Sequence, residues 1–367
     1  MRIERLELEG FRNYVCQAAD FDPRCNVVCG ENAQGKTNLL EALVYLSRGR
    51  SPRARTDREM IGFQAEAARL RTRAASRERE FWVQADLFRG RRRRLTVNQV
   101  PVKTNAALGD VYHTVLFQPE DLYLIREGAA ARRRFLDTAL CQLRPRYAAA
   151  LAGYERAREQ KTRILRDYDQ RPDLLEALPE FNEQMIRLGA ALVQYRHQFC
   201  LRLAEYAALH HRECSGGRET LTLQYQTVSS IEDPGVEIGI LADRLRRHME
   251  SHREAELSSR LCLSGPHKDD ILVSIDGREA KQYASQGQTR TAALALKLAE
   301  REIYKNAAGE YPVLLLDDVL SELDPRRQEF VLNRIAGGQV FITCCEEDRL
   351  PSLLGGRVFH VEQGNIL

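Results

Sequence analysis

Apolar and polar residues alternate at several places in the first hundred residues, and this alternation predicts half-buried β-strands. The strands predicted in this way are residues 3–9, 81–87 and 94–97. Residues 98–99 follow as a hairpin turn, and residues 25–29 form a short apolar run of strand length. Residues 38–46 instead carry apolar side chains at helical spacing, without Gly or Pro. The pattern therefore predicts a β-rich N-terminal segment that contains one helix.

The middle of the chain has a different pattern. Residues 129–214 are rich in Ala, Leu, Arg and Glu and have almost no β-branched runs. Breaks near 143–145 and 167–172 divide this stretch into about three antiparallel helices. Helices of roughly 20–35 residues would extend about 30–50 Å. That length suffices for a helical arm but excludes the long coiled coil of an SMC protein.

Strand patterns return in the last part of the chain. The predicted strands are residues 220–225, 271–275, 313–316, 340–343 and 358–361. A long helix is predicted from about 285 to 304, and the continuous apolar run 313–316 is typical of a central parallel strand buried on both faces. The layout predicts an α/β core built from both chain ends, residues 1–118 and 262–367. Residues 119–261 would be a helical insertion.

Composition and charge narrow the class of protein. The 367 residues are 43% hydrophobic and 29% charged, as in ordinary globular proteins. No apolar run approaches the roughly 20 residues of a membrane helix, and the first residues predict a strand, not a signal peptide. The nine cysteines lack a C-x-x-C pair, which favours buried thiols over disulfides or zinc. We therefore expect a cytoplasmic protein of about two domains.

The charge is distributed unevenly. Within a total of +3, residues 1–100 carry +7 and the remainder carries −4. The arginines of that first part include Arg48, Arg50, Arg53, Arg55, Arg58, Arg89, Arg91, Arg92, Arg93 and Arg94. A run of charge is usually a solvated face, but arginines clustered in this way also favour a partner rich in phosphate.

One stretch carries the most specific chemistry. It comprises Gly30, Glu31, Asn32, Ala33, Gln34, Gly35, Lys36 and Thr37. The stretch fits G-x-x-x-x-G-K-[ST], a loop whose N–H groups cradle nucleotide phosphates while the Lys reaches the β/γ-oxygens and the Thr holds Mg²⁺. A predicted strand precedes it and a predicted helix follows, so loose N–H groups and the helix dipole converge on an anion. This context favours a nucleotide-binding loop over an ordinary Gly-containing turn.

Two carboxylates follow the apolar run 313–316, at the end of a strand where ligands bind in open α/β sheets. Asp317 is placed to hold the Mg²⁺ that Thr37 also contacts, and Asp318 to orient or deprotonate the attacking water. Earlier in the chain, Ser285-Gln286-Gly287-Gln288 begins the long helix. Alone it is a capped helix start, with Ser as the N-cap.

The order of these segments is that of an ABC-type ATPase, and here the resemblance becomes specific. Over nearly its whole length the chain resembles the RecF family, the bacterial recombination mediators of the ABC/SMC-type ATPase superfamily. The matching segments are residues 10–14, 30–38, 115–122, 132–137, 265–270, 285–290 and 316–324. The resemblance implies an ABC-type ATPase head with an inserted helical arm, ATP and Mg²⁺ as cofactors, and an ATP-dependent homodimer. It also implies a DNA-binding role in recombinational repair, replication restart and SOS induction, with RecR and RecO as partners.

The resemblance also implies roles for single residues. Ser285, Gly287 and Gln288 would form the signature motif that binds the γ-phosphate held by the other subunit. Gln118 would link metal and water to the arm, Asp324 would lie in the D-loop, and Arg12 and Asn38 would belong to the nucleotide site. For DNA phosphates the candidates are Arg48, Arg50, Arg53, Arg55, Arg91, Arg92 and Arg93.

Two segments depart from the family pattern. Residues 342–345 contain no histidine, so no sensor of the switch-histidine type is assigned there. Residues 160–163 in the arm match only loosely. His267, beside a Pro and a Lys-Asp-Asp run, is expected to hold the loop before the strand at 271, with a role as ligand or proton shuttle as the alternative.

Two other classes of protein stay open. A transporter-type nucleotide-binding subunit is disfavoured because Lys36 and Ser285 are 249 positions apart, and because Ser-Gln-Gly-Gln stands in place of Leu-Ser-Gly-Gly-Gln. A P-loop kinase of small molecules would need no signature helix, and duplex DNA should not stimulate it. The leading hypothesis is a slow, DNA-stimulated ATPase that dimerises with ATP, on duplex DNA, single strands or their junction.

Overall fold

The computed structural model describes residues 1–77, 79–109, 111–345 and 355–367. The chain forms two compact units, the first from Met1–Leu122 with Lys297–Leu367 and the second from Tyr123–Leu296. Within the described residues, no helix is long and apolar enough to cross a membrane.

The strands and helices follow the predicted pattern closely. In chain order the strands are β1 (Arg2–Phe11), β2 (Tyr14–Asp20), β3 (Cys25–Cys29), β4 (Ala67–Ser76), β5 (Arg79–Phe88), β6 (Arg94–Val97), β7 (Val100–Val102), β8 (Thr114–Phe117), β9 (Leu221–Gln226), β10 (Asp270–Ile275), β11 (Arg278–Glu279), β12 (Val313–Leu316), β13 (Val340–Cys344), β14 (Arg357–Glu362) and β15 (Asn365–Ile366). The helices are α1 (Lys36–Arg48), α2 (Ala129–Leu143), α3 (Pro145–Asp167), α4 (Leu178–Ser215), α5 (Ile238–Ser251), α6 (Arg253–Ser259), α7 (Ala280–Tyr283), α8 (Gln286–Ala308) and α9 (Pro325–Arg334). The strands predicted by alternation, the helix after the phosphate loop and the long helix near 285–304 are confirmed.

The first unit contains an antiparallel sheet in the order β2-β1-β4-β5-β6-β7. Strand β1 pairs with both β2 and β4, and its apolar residues Ile3, Leu6 and Leu8 are buried. Its three glutamates form ion pairs with arginines of β4, for example Glu4 with Arg73 at 2.8 Å. The alternation of β1 therefore produces one core face and one face of paired charges.

The second sheet of this unit has the order β15-β14-β3-β13-β12-β8. The pairs from β14 to β8 are all parallel, and every residue of β3, β8 and β12 is buried. Helix α1 packs against β4 and β5 of the first sheet and against β8 and β13 of the second. It is buried on nearly all faces, as expected for a helix enclosed by sheets. The α/β core built from both chain ends is thereby confirmed.

The second unit contains helices α2 to α7 and a sheet in the order β11-β10-β9. Three helices lie between residues 129 and 215, as predicted, but α4 has 38 residues and extends about 57 Å, beyond the expected range. Buried arginines join two of the family-matching segments. Arg132 binds the Asp270 carboxylate at 2.6 and 2.8 Å, and Arg196 lies between Asp137 and Asp269 at 2.8 and 3.2 Å.

One boundary between the units differs from the predicted one. The first change of unit follows Leu122, close to the predicted position after residue 118. The second follows Leu296, whereas the sequence pattern placed it after residue 261. The difference arises because β10 pairs with β9 along its whole length, so residues 262–296 pack with the second unit. The division into an ATPase head and an arm stays a prediction.

Candidate nucleotide site

The phosphate loop connects β3 to α1. Lys36 is only 3% exposed, and its ammonium group donates to the carbonyl oxygens of Gly30 at 2.7 Å and Glu31 at 3.0 Å. Gly35, immediately before the helix, has a φ of 126°, a conformation that side chains disfavour. The lysine therefore lies across its own loop, where phosphate oxygens could replace the two carbonyl groups.

Residues at the turn between β1 and β2 hydrogen-bond to the backbone of this loop. The Tyr14 hydroxyl donates to the Gly35 carbonyl at 2.9 Å, and the Asn13 amide donates to the Gln34 carbonyl at 2.7 Å. Asn38 in turn donates to the Asn13 amide oxygen at 2.8 Å. These contacts give residues 13 and 14 a structural role next to the phosphate loop, which the sequence alone did not predict.

Asp317 meets two hydroxyl groups at the carboxyl end of the parallel sheet. The Thr37 hydroxyl donates to its Oδ1 at 3.0 Å and the Thr343 hydroxyl at 2.9 Å. Thr343 also accepts the backbone N–H of Asp318 at 2.8 Å. The structure thus brings Thr37 and Asp317 together as expected, and it adds Thr343 from the segment where no histidine was found.

Burial raises the pKa of the Asp317 carboxyl, which is 4% exposed. Hydrogen bonds from Thr343, Thr37 and Gln118 act in the opposite direction, while the neighbouring Asp318 charge raises the pKa further. A buried carboxylate is costly unless it is paired with a positive charge. The adjacent oxygen atoms of Thr37 and Asp317 are suitable ligands for Mg²⁺. This ion binds proteins through one or two oxygen ligands and completes its coordination shell with phosphate and water.

Gln118 and Asp318 flank this carboxylate. Gln118 follows β8, the neighbour of β12, and its side chain is among the groups that lower the pKa of Asp317. Asp318 is half-buried and has a φ of 50°. The Ser321 hydroxyl donates to its carbonyl oxygen at 2.6 Å. The three residues predicted around the metal and the water are therefore neighbours in the structure.

Arg12 lies beside the nucleotide loop, but its guanidinium is engaged within the protein. It donates twice to the Glu41 carboxylate, both times at 2.8 Å, and to the Glu59 carbonyl at 2.7 Å. Glu41 has no exposed side-chain surface and also binds Arg53 at 2.7 Å. The role of Arg12 toward phosphate stays a prediction, and Glu41, which anchors both arginines, was not found from the sequence.

The predicted signature residues start α8 in the second unit. The Ser285 N–H donates to the Gln288 side chain at 2.8 Å, and the Gln288 N–H donates to the Ser285 hydroxyl at 3.2 Å. This reciprocal pair is a capping box, with Gly287 in the first helical turn. Asp324 similarly caps α9 by accepting the Arg327 N–H at 3.1 Å. Their nucleotide and interface roles stay predictions.

The candidate DNA arginines fall into two groups. Arg93 donates to the Tyr45 hydroxyl, the Gly49 carbonyl and Asn105 at 2.8, 2.7 and 2.6 Å. Arg48 donates to the Thr114 carbonyl. Both therefore hold the fold of the first unit, as does Arg53 through Glu41. The exposed candidates are Arg50, Arg53, Arg55, Arg91 and Arg92, and of these Arg53 is also paired with Glu41.

His267 has a structural environment within the second unit. Its Nε2 lies 3.0 Å from the Cys262 carbonyl, and its Nδ1 lies 2.7 Å from the Tyr154 hydroxyl. Since a carbonyl only accepts, Nε2 carries the proton and Nδ1 accepts from the tyrosine. Burial lowers the pKa of His267 to about 4. The neutral ring therefore holds the loop before β10, as expected.

Comparisons with a family model, with relatives and with solved structures all indicate the same family. Residues 2–353 match the family model of the RecF/RecN/SMC N-terminal domain. DNA replication and repair protein RecF of Agathobacter rectalis is 38% identical over 370 residues, covering 100% of this chain and 99% of the relative. RecF of Symbiobacterium thermophilum is 39% identical over 376 residues, covering 100% and 98%. A solved structure of the recombination mediator protein RecF-ATP in the RecFOR pathway matches with a TM-score of 0.91 and 30% identity, covering 100% of this chain and 97% of that one.

Proposed function

Because the chain belongs to the RecF family, we propose that it is an ATP-dependent DNA-binding protein of recombinational DNA repair. ATP-driven dimerisation would act as a clamp or switch, also in replication restart and SOS induction. The family match favours neither a transporter subunit nor a small-molecule kinase. The proposal includes a cytoplasmic location and partners equivalent to RecR and RecO.

The observation that supports this proposal most directly is the cluster of Thr37, Asp317 and Thr343 beside the phosphate loop. Lys36 and the N–H groups of the loop would bind the β/γ-phosphates of ATP. Thr37 and Asp317 would hold Mg²⁺, which neutralises developing phosphate charge when bound. The hydroxyl of Thr343 orients Asp317 and fixes the backbone of Asp318.

Hydrolysis is proposed to be slow and to be stimulated by DNA. Asp318 would orient and deprotonate the attacking water, with Gln118 aligned beside it. Most ABC enzymes carry Glu at the position of Asp318, and Asp reaches one methylene less far toward the water. A slow enzyme suits a timed clamp, whose closed state lasts until hydrolysis removes the γ-phosphate.

Sedimentation velocity tests the proposal directly. The purified chain should be largely monomeric without nucleotide or with ADP, and dimeric with ATP. Duplex DNA should bind the ATP form and accelerate hydrolysis. A Lys36→Ala variant is the matched control, because it removes the phosphate contact and should stay monomeric with ATP. Fast turnover above roughly 10² per second, or a monomer under every condition, would contradict the proposal.

A further inference from the structure

The Gln288 side chain forms a bridge at the start of α8. Its Oε1 accepts the backbone N–H of Ser285 at 2.8 Å. Its Nε2 donates to Oε1 of Glu219 at 3.1 Å. Ser285 itself is exposed, whereas Gln288 is partly buried. The capping box is therefore joined through one amide to a carboxylate that lies 69 positions earlier in the chain.

Glu219 is held between α4 and β9. Its second oxygen, Oε2, lies 3.1 Å from Nε2 of His211, whose side chain has no exposed surface. Gly216 and Gly217, with φ of 70° and 76°, reverse the chain after α4 and return Glu219 to the side of that helix. Since an ionised carboxylate only accepts, His211 donates from Nε2. One carboxylate thus accepts from α4 and from α8.

The backbone beside Glu219 is also fixed. The Thr220 N–H donates to the Asp276 carboxylate at 2.8 Å, and the Asp276 N–H donates to the Thr220 carbonyl at 2.9 Å. Residue 221 then begins β9, which pairs with β10 along its whole length. Glu219 lies two residues before this strand and is therefore a preorganised acceptor beside a rigid element, not a mobile surface carboxylate.

The carboxylate determines which way the Gln288 amide faces. An amide carries donors on nitrogen and an acceptor on oxygen. If the amide turned over, its oxygen would face the Glu219 charge, and its nitrogen would face the Ser285 N–H donor. Both contacts would be lost and replaced by repulsion. The bond from the amide to the carboxylate is charge-assisted, and bonds of this kind are roughly twice as strong as neutral ones.

We propose that Glu219, supported by His211, is a positioning residue for the signature motif. It orients Gln288, which in turn fixes Ser285 at the N-terminus of α8 for contact with the γ-phosphate of a second subunit. This inference rests on the proposed function, because it assumes that Ser285 closes the ATP-bound dimer. Because Glu219 would act through Gln288 and Ser285, its effect would fall on dimerisation and not on ATP binding by the monomer.

The test compares single and double variants by sedimentation velocity with ATP. Glu219→Ala should raise the dimer dissociation constant by about 10-fold to 100-fold, the range for supporting residues around a site. Binding of a fluorescent ATP analogue by the dilute monomer should stay unchanged. Glu219→Gln, which still offers an oxygen to Gln288, should restore most of the dimerisation. Glu205→Ala is the charge-matched control, since Glu205 is exposed on α4.

A double-mutant cycle separates positioning from general stability. If Glu219 acts through Gln288, then Glu219→Ala should have little further effect in a Gln288→Ala background. Additive effects, or a Glu219→Ala variant that dimerises like Glu205→Ala, would overturn the inference while the proposed function stands. A wild-type chain that fails to dimerise with ATP would overturn both.

Discussion

Thr343 shows how one hydroxyl can serve two neighbours. It donates to Asp317 and accepts from the N–H of Asp318, and it is 2% exposed. Its position places it between the residue proposed to hold Mg²⁺ and the residue proposed to act on water. Removing the hydroxyl would leave a buried carboxylate and a buried N–H without this partner, which typically costs about 1–3 kcal/mol for each group.

We therefore predict that Thr343→Val lowers the rate of ATP hydrolysis by about 10-fold to 100-fold, as for other supporting residues. ATP affinity should change little, because Lys36 is untouched. Steady-state turnover and binding of a fluorescent ATP analogue would measure the two quantities. Thr343→Ser keeps the hydroxyl and serves as the control. Equal turnover in the Val variant and the wild type would show that the hydroxyl has no part in positioning.

His267 makes folding stability depend on pH. Burial lowers its pKa to about 4 in the folded chain, while an unfolded chain titrates near 6.5. Between these values the unfolded state binds more protons, so stability falls as the pH falls. Burial raises the pKa of Asp269 to about 6, which has the opposite sign. A comparison of the wild type with a His267 variant isolates the contribution of the histidine, because both proteins retain Asp269.

The variant for this comparison is His267→Gln, whose amide can still contact Tyr154 and the Cys262 carbonyl without titrating. From pH 7 to pH 4 the wild type should lose about 2–3 kcal/mol relative to the variant. Urea denaturation at several pH values would measure this difference. Two stability curves that remain parallel across the range would contradict the assignment of a buried neutral ring.

The phosphate loop begins at Gly30, where its backbone packs closely against strand β14. Gly30 has a φ of 149°, and a Cβ there would collide with the carbonyl oxygen of Val361 in β14. We predict that Gly30→Ala lowers stability by at least about 2 kcal/mol, given the usual cost of backbone strain, and abolishes ATP binding. Gly90→Ala is the control, since nothing lies within 4 Å of a Cβ at Gly90. Thermal unfolding with and without ATP would measure both effects.

The hairpin between β5 and β6 contains arginines that are available for DNA contact and one arginine that stabilises the fold. Arg91 and Arg92 are exposed, with Arg91 3.7 Å from the Phe88 ring, whereas Arg93 is bound inside the first unit. We predict that Arg91→Ala with Arg92→Ala weakens DNA binding for all sequences and lowers the salt slope by about 1–2. The fold should stay intact in this variant.

Arg93→Ala should instead lower the unfolding temperature, because it removes contacts to Tyr45 and Gly49. DNA affinity would be measured between about 50 and 200 mM salt. An unchanged salt slope in the double variant would exclude these two arginines from the DNA surface.

Some elements could be predicted from the sequence and others could not. Strands β1, β3 and β12 have a clear alternation or a continuous apolar run, so the sequence pattern predicts them. Strand β4 was missed because its sequence, AARLRTRAAS, contains Leu70 as its only large apolar residue. Its pairing with β1 and β5 makes it a strand, and that pairing is not visible locally.

The candidate site divides in the same way. Lys36, Thr37 and Asp317 were identified because each belongs to a motif with its own chemistry. Thr343 reaches Asp317 only because β13 lies beside β12 in parallel register. In the sequence, Glu41 is only one polar residue of a predicted helix. Its contacts with two arginines depend on the tertiary fold. Roles that rest on register or on distant partners need the structure.

At the scale of the whole molecule, the number of motifs predicts the assembly. The chain has one phosphate loop, in the first unit, and one signature segment beginning at Ser285, in the second. In the ABC-type arrangement implied by the family, a signature segment serves the nucleotide of the other subunit. Two chains related by a two-fold axis would then complete two sites, with ATP in the interface. Hydrolysis would remove the γ-phosphate that holds the dimer closed.

We therefore predict that Ser285→Arg abolishes ATP-dependent dimerisation. The long cationic side chain would replace a small hydroxyl at an exposed helix start, and no second subunit could then approach closely. ATP binding by the monomer should stay nearly intact, because Lys36 and Thr37 are unchanged. Ser258→Arg makes the same substitution at an exposed position of α6 and should dimerise normally. If Ser285→Arg still dimerises and hydrolyses ATP at the wild-type rate, the site is complete within one chain, and a kinase-like enzyme becomes the better hypothesis.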